Sequence, residues 1–193
     1  MRRVCVFCGS SQGARACYAD AARALGTVLA RGQIGLVYGG GRVGLMGVLA
    51  DTVLAAGGEV VGVIPEAMVP KELAHEGLTG LHIVGSMHER KACMAELADA
   101  FVALPGGYGT FEEFCEIVTW AQLGLHRKPC GLLNVDGYYD RLLALFDHAV
   151  AEQFVRPAHR SLVLEERDPE RLLLRLAAYR APALEQWIGR EET

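Results

Sequence analysis

One stretch of nine residues could do chemistry: Pro105-Gly106-Gly107-Tyr108-Gly109-Thr110-Phe111-Glu112-Glu113. Glycines here let backbone N–H groups approach a ligand, and a helix opening at the same point adds positive partial charge. That combination suits an anion, most often a phosphate. Glu112 and Glu113 stand in what the pattern makes the first turn of that helix. A phosphate cradle beside a carboxylate fits a phosphorylated substrate that is acted on, and not merely held. Upstream, Met87-His88-Glu89-Arg90-Lys91-Ala92-Cys93-Met94 opens another helix with Arg90 and Lys91 in its first turn. Cations there oppose the helix dipole, a cost that an anionic ligand would offset. The plainer reading is two solvated surface cations.

Strands and helices must position these residues. Residues 100–104 form an apolar run that reads as a buried strand, and Phe111, Phe114, Cys115, Val118 and Ala121 recur at helical spacing. The same alternation runs through the whole chain. Strands are expected over 2–7, 34–38, 59–64, 81–84, 100–104, 130–134 and 162–164. Helices are expected over about 16–30, 45–56, 87–97, 111–121, 138–152 and 169–179, with Gly32 ending the first. Residues 65–80, with Pro65 and Pro70, form a connection long enough to suggest function. Short apolar strands alternating with helices imply an α/β fold: a Rossmann-like parallel sheet with helices on both faces, in one domain. The domain is expected over 1–180, with a tail over 181–193. In such a sheet, ligands bind beyond the carboxyl ends of the strands. Three glycine loops fall there: Gly9-Ser10-Ser11, Gly39-Gly40-Gly41 and the loop from Gly106 to Thr110.

With 193 residues, 51% of them hydrophobic and 22% charged, the chain has enough apolar material for one sizeable core. Its net charge is −4 and its 19 basic residues are scattered, which argues against a nucleic-acid polymer as partner. No apolar run reaches membrane-spanning length, and the short apolar start reads as a strand and not a signal peptide. A cytoplasmic location is expected. Cys5 and Cys8 form a C-x-x-C, but on a strand residues three apart face opposite ways, so both read as reduced core residues. The six histidines show no ligand spacing and read as surface or structural.

Gly39-Gly40-Gly41-Arg42-Val43-Gly44 matches the dinucleotide pattern G-x-G-x-x-G, with Glu66 near the place of a ribose-binding acid. Two features oppose an NAD site. The loop follows the second strand, not the first, and Pro65 separates the acid from its strand. Thr110-Phe111-Glu112-Glu113 carries its own ambiguity, because it also reads as a capping box with Thr110 as N-cap and Glu113 reaching back.

Arg90-Lys91 followed by Pro105-Gly106-Gly107-Tyr108-Gly109-Thr110-Phe111-Glu112-Glu113 resembles the Lonely Guy family, the cytokinin riboside 5′-monophosphate phosphoribohydrolases often mislabelled as lysine decarboxylases. The family pattern is P-G-G-x-G-T-x-x-E preceded by M-x-x-R-K. The resemblance extends through Phe7-Cys8-Gly9-Ser10-Ser11, Tyr38-Gly39-Gly40-Gly41, Thr119-Trp120-Ala121-Gln122-Leu123-Gly124 and Leu133-Asn134-Val135-Asp136-Gly137-Tyr138-Tyr139. It spans roughly residues 4–155.

The resemblance implies hydrolysis of the N-glycosidic bond of AMP or prenylated AMP to a free adenine-type base and ribose 5-phosphate. It implies Arg90 and Glu113 as catalytic residues. Substrate binding would fall to Gly9, Ser10, Gly39, Gly40, Gly41, Glu72, Lys91, Gly106, Gly107, Tyr108, Gly109, Thr110 and Glu112. A homodimer with no metal or organic cofactor is also implied. A prenyl chain would need an apolar pocket, for which Met46, Met87, Met94 or the 65–80 segment are candidates.

The residues fit that chemistry on their own terms. Cleaving a ribosyl C–N bond builds positive charge on the sugar, which a carboxylate stabilises while orienting or deprotonating water. A pyridoxal-dependent decarboxylase would have to use Lys71, Lys91 or Lys128, none in a recognisable cofactor motif. The alternative is a non-catalytic nucleotide binder or carrier of the same fold. Such a protein needs the glycines but has no use for the Arg90 and Glu113 pair.

Overall fold

The short apolar runs become seven strands: β1 (Arg3–Phe7), β2 (Gly35–Tyr38), β3 (Val60–Pro65), β4 (Gly80–Val84), β5 (Ala100–Ala103), β6 (Cys130–Leu133) and β7 (Val163–Glu166). This is a computed structural model, and it describes residues 1–69 and 74–183. The strands pair in parallel in the order β4-β3-β2-β1-β5-β6-β7. From β1 the chain adds strands outward to β4, then crosses back and adds β5 to β7 on the other side. The reversal leaves a crevice between the carboxyl ends of β1 and β5, where ligands bind in sheets of this kind. The register there is Val4 beside Ala100 through Phe7 beside Ala103.

Seven α-helices cover the sheet among the described residues: α1 (Ala16–Arg31), α2 (Gly44–Ala55), α3 (Met87–Leu97), α4 (Tyr108–Leu123), α5 (Asp140–Ala151), α6 (Pro157–Arg160) and α7 (Pro169–Ala178). Side chains alternate along each strand, so two cores form. On one face Val4, Val6, Leu36 and Tyr38 meet Leu25 and Leu29 of α1, Leu49 and Val53 of α2, and Leu172 and Leu176 of α7. On the other, Cys5, Phe7, Val37, Phe101 and Leu132 meet Met94 of α3 and Phe114 and Ile117 of α4. Each such aliphatic or aromatic side chain contributes roughly 1.5–3 kcal/mol when fully buried. Cys5 and Cys8 lie in opposite cores as free thiols, as their spacing on a strand requires.

Two local expectations are corrected and one holds. First, α4 begins at Tyr108, with Gly107 as N-cap and no side-chain cap. Thr110 is therefore the third residue of the helix and Glu113 the sixth, so neither can form the capping box, and the two carboxylates lie in the second turn. Second, Gly32 does end α1 as its C-cap, at φ −78°, and the left-handed residue after it is Gln33 at φ 50°. Third, α6 was not foreseen; at four residues it offers too little periodicity to see. The expected irregular 65–80 connection contains a 3₁₀ turn over Glu66–Met68 and a bridge between Gly41 and Ala74. Residues 184–193 of the expected tail lie outside the described residues.

Candidate active site

α3 begins cleanly because Ser86 Oγ accepts from Glu89 N at 3.1 Å and Glu89 Oε2 accepts from Gly85 N at 2.8 Å. That start sets the direction of Arg90, which is 6% exposed and runs under the end of the sheet. Its Nε donates to Val63 O at 3.1 Å and its Nη2 to Gly39 O at 3.2 Å. The third nitrogen, Nη1, lies 4.0 Å from Glu113 Oε1 and 3.8 Å from Met87 Sδ. The Glu113 side chain is 12% exposed. Two backbone carbonyls thus hold the guanidinium, which leaves its charge beside the carboxylate at the limit of ion-pair distance.

Lys91, one residue on, turns the other way. Its Nζ donates to Glu112 Oε1 at 2.5 Å and Glu116 Oε1 at 2.9 Å, tying α3 to α4. Burial alone would lower the Lys91 pKa, but the hydrogen bonds it donates to the two carboxylates outweigh it and raise the value. The two adjacent cations therefore have different surroundings: carbonyls and a cavity for Arg90, carboxylates for Lys91.

A cavity of about 310 Å³ lies over the β1–β5 crevice. Arg90, Glu113 and Glu112 line it with Gly9, Ser10, Gly39, Gly107, Tyr108, Gly109 and Thr110. The structure thus gathers most of the residues expected at the site. Gly40, Gly41, Lys91 and Gly106 lie outside the lining. Gly40 O accepts from His75 N at 3.0 Å, and Gly41 bridges to Ala74. Glu72 falls outside the described residues. Four methionines, Met46, Met68, Met87 and Met94, form much of the apolar wall. Among the described residues no group of three His, Cys, Asp or Glu could hold a metal ion.

One end of the cavity is built from backbone. The opening N–H groups of α4 have no intrahelical acceptor, and no side chain caps them. The loops of β1 and β5 touch directly: Gly9 N donates to Pro105 O at 3.1 Å, and Leu104 N to Phe7 O at 2.9 Å. A β-carbon on Gly106 would overlap Thr110 Oγ1 and come within 2.9 Å of Gly9 N. From behind, Tyr138 OH donates to Gly106 O at 2.5 Å and Tyr139 OH to Leu104 O at 2.6 Å. Burial pushes the Tyr139 hydroxyl pKa well up, so it remains a donor at any physiological pH. These tyrosines and the Val63 carbonyl are site components that sequence reasoning did not assign, whereas Met68 comes from the 65–80 segment, a candidate lining for the apolar pocket. Of the unassigned components, only the Tyr138-Tyr139 pair carried a signal, as part of the family resemblance.

Cys8 also lines the cavity, but burial, reinforced by the Glu113 charge, pushes its thiol pKa far up, so it offers no nucleophile. The last glycine of the dinucleotide-like match has packing work of its own. Gly44 opens α2 with φ +61°, where a β-carbon would overlap the Ser10–Ser11 backbone, and Glu66 is exposed. That glycine serves the contact between the β1 and β2 loops.

Comparison with known proteins decides the family. A rice protein (Oryza sativa subsp. japonica) named "Probable cytokinin riboside 5′-monophosphate phosphoribohydrolase LOGL9" is 57% identical over 178 residues, covering 92% of this chain and 78% of its own. "Cytokinin riboside 5′-monophosphate phosphoribohydrolase LOG3" of Arabidopsis thaliana is 51% identical over 185 residues, covering 96% and 86%. The chain belongs to the Lonely Guy (LOG) family. The family model matching residues 46–176 is described as "Possible lysine decarboxylase". In this LOG protein Lys91 is bonded to two carboxylates, and Lys128 Nζ donates to Ala95 O at 2.6 Å. Neither lines the cavity.

Among solved structures, the molybdenum cofactor binding protein of Rippkaea orientalis matches this LOG chain with a TM-score of 0.70 at 20% identity, covering 92% of this chain and 97% of that one. The molybdenum cofactor carrier protein of Chlamydomonas reinhardtii matches with 0.70 at 21%, covering 92% and 99%. At that identity the likeness is one of fold.

Proposed function

We propose that this LOG protein hydrolyses the N-glycosidic bond of adenosine 5′-monophosphate and its N6-substituted forms, releasing free base and ribose 5-phosphate. One observation carries the reading: Arg90 and Glu113, both largely buried, face one cavity at the β1–β5 crevice beside an uncapped helix N-terminus. Relatives at 50–57% identity named for this activity support it. A carrier would use the glycine loops alone.

In the reaction, the α4 N-terminus and the glycine backbone hold the 5′-phosphate. Its binding energy then helps to place C1′ of the ribose against Glu113. As the C1′–N9 bond breaks, positive charge develops on the ribose and the Glu113 carboxylate stabilises it. Water adds its oxygen to C1′ and gives a proton to Glu113, while the bond electrons leave with the base, which takes up a proton from solvent as Glu113 returns its own to solvent. Arg90 is permanently charged, so it assists electrostatically and does not donate that proton. The methionine wall suits an apolar N6 substituent, because the thioether side chain adapts to irregular shapes.

The family resemblance extends the reading to a homodimer, which light scattering on the purified protein tests. A cytoplasmic location is supported by the six unpaired cysteines; fractionation tests it.

AMP and adenosine should separate sharply. Free adenine released from AMP at least tenfold faster than from adenosine, by chromatography at equal concentration, is the expected result. Equal turnover of the two would remove the phosphate from the mechanism.

A further inference from the structure

The glycine at position 39 follows β2 in a loop whose composition points to phosphate, yet its neighbours are protein atoms. A β-carbon there would overlap Arg90 Nη2, lie 3.2 Å from Arg90 Cζ and 3.3 Å from Met46 Sδ. Its carbonyl accepts from the same Nη2 at 3.2 Å. Opposite, Val63 O accepts from Arg90 Nε at 3.1 Å. The next two residues are committed elsewhere, Gly40 to His75 and Gly41 to Ala74.

We propose that Gly39 is a positioning residue that acts through Arg90: its missing side chain and its carbonyl form the seat that keeps the guanidinium beside Glu113. The second glycine loop thereby shapes the reacting end of the cavity, and phosphate binding rests on the β1 and β5 loops. This inference deepens the hydrolytic reading and rests on it for its kinetic consequences.

The seat explains why a buried cation tolerates its site. Two carbonyls take two of its nitrogens, and the third is left to face Glu113 and the cavity. Buried charges need such hydrogen bonds. The backbone at Gly39 is not in the left-handed region, so alanine is conformationally allowed there. The overlap falls on the far end of a long side chain, which can swing away. A Gly39→Ala protein should therefore fold with its guanidinium displaced.

The test is a double-mutant cycle of Gly39→Ala and Arg90→Ala, reading kcat with AMP, AMP affinity and thermal stability. A misplacement of about 1 Å in a catalytic group costs roughly 100-fold in rate. Gly39→Ala should lose kcat on that scale with AMP affinity changed less than about threefold. Added to Arg90→Ala, it should cost nothing further, because residues acting through one group are not additive. A phosphate-cradle role would instead weaken AMP binding, and an independent role would give additive losses. Either result overturns the proposal.

If Gly39→Ala folds poorly, the double variant, with the overlapping atoms removed, should recover stability. Equal instability of the two would again overturn it. An arm without turnover keeps the inference separate from the reaction. In ¹⁵N spectra the arginine Nε–H signal that disappears in Arg90→Ala should exchange slowly in the wild type and shift in Gly39→Ala. No shift would contradict the seat even in a protein that hydrolysed nothing.

Discussion

Two loops of similar composition follow neighbouring regions of the sheet and do different work. The loop after β5, from Gly106 to Gly109, runs into α4 and leaves that helix uncapped toward the cavity. The loop after β2, from Gly39 to Gly41, turns inward: its first glycine touches Arg90, its second accepts from His75 and its third bridges to Ala74. Both read as phosphate loops by composition. What separates them is what the missing side chain makes room for, which is open space at Gly107 and Gly109 in one and a guanidinium at Gly39 in the other. A glycine-rich turn at a strand end therefore identifies a close approach, and only its surroundings say what approaches.

The comparison can be broken within the β5 loop itself. Gly106→Ala should have the larger effect, because its β-carbon would meet Thr110 Oγ1 and Gly9 N, joining the two loops. Overpacking of this kind costs about 1–3 kcal/mol, visible in chemical denaturation, and AMP affinity should fall with it. Gly107→Ala is the cleaner test. A β-carbon at Gly107 would meet nothing within 4 Å, so the empty protein should lose only the cost of an alanine at the N-cap, about 1 kcal/mol or less. A ligand pressed onto the backbone would meet that methyl, and calorimetry should show AMP binding weakened by roughly tenfold, about 1.4 kcal/mol. Unchanged affinity in Gly107→Ala would mean that phosphate is held elsewhere.

The smallest effect belongs to Lys91. Its ammonium already sits on Glu112 and Glu116 and outside the cavity lining. Lys91→Met should cost less than about 1 kcal/mol of stability, since Glu112 is more than half exposed and its pairing is screened. Losses in AMP affinity should stay below about fivefold, against far larger losses at Arg90. A Lys91→Met defect equal to that of Arg90→Ala would show that the two cations share one job.

Much of this arrangement could be read from residue types, for identifiable reasons. Strands buried on both faces leave near-continuous apolar runs, so β1, β5 and β6 were placed within a residue or two. The helix carrying Arg90 runs over Met87–Leu97 as expected, and Ser86 caps its start. The start of α4 was missed by three residues. Gly107 and Gly109 lower helix propensity, although helix N-termini that bind anions tolerate them. That error created the capping-box reading of Glu113, which disappears once Gly107 is the N-cap. The seat of Arg90 was not legible at all. It depends on where two backbone carbonyls point, at Gly39 and Val63, and residue type does not encode that direction.

The central claim is that Glu113 acts on the ribose beside a held phosphate, and Glu113→Gln tests it most directly. Wild-type and variant protein would be incubated with AMP and with prenylated AMP, and free base and ribose 5-phosphate quantified. Glutamine preserves the shape of the side chain but cannot take a proton from water or oppose a cation with full charge. Turnover should fall by roughly 100-fold or more, the scale of a lost general base, with AMP affinity and melting temperature close to those of the wild type. Near-normal release of base by Glu113→Gln would contradict the account.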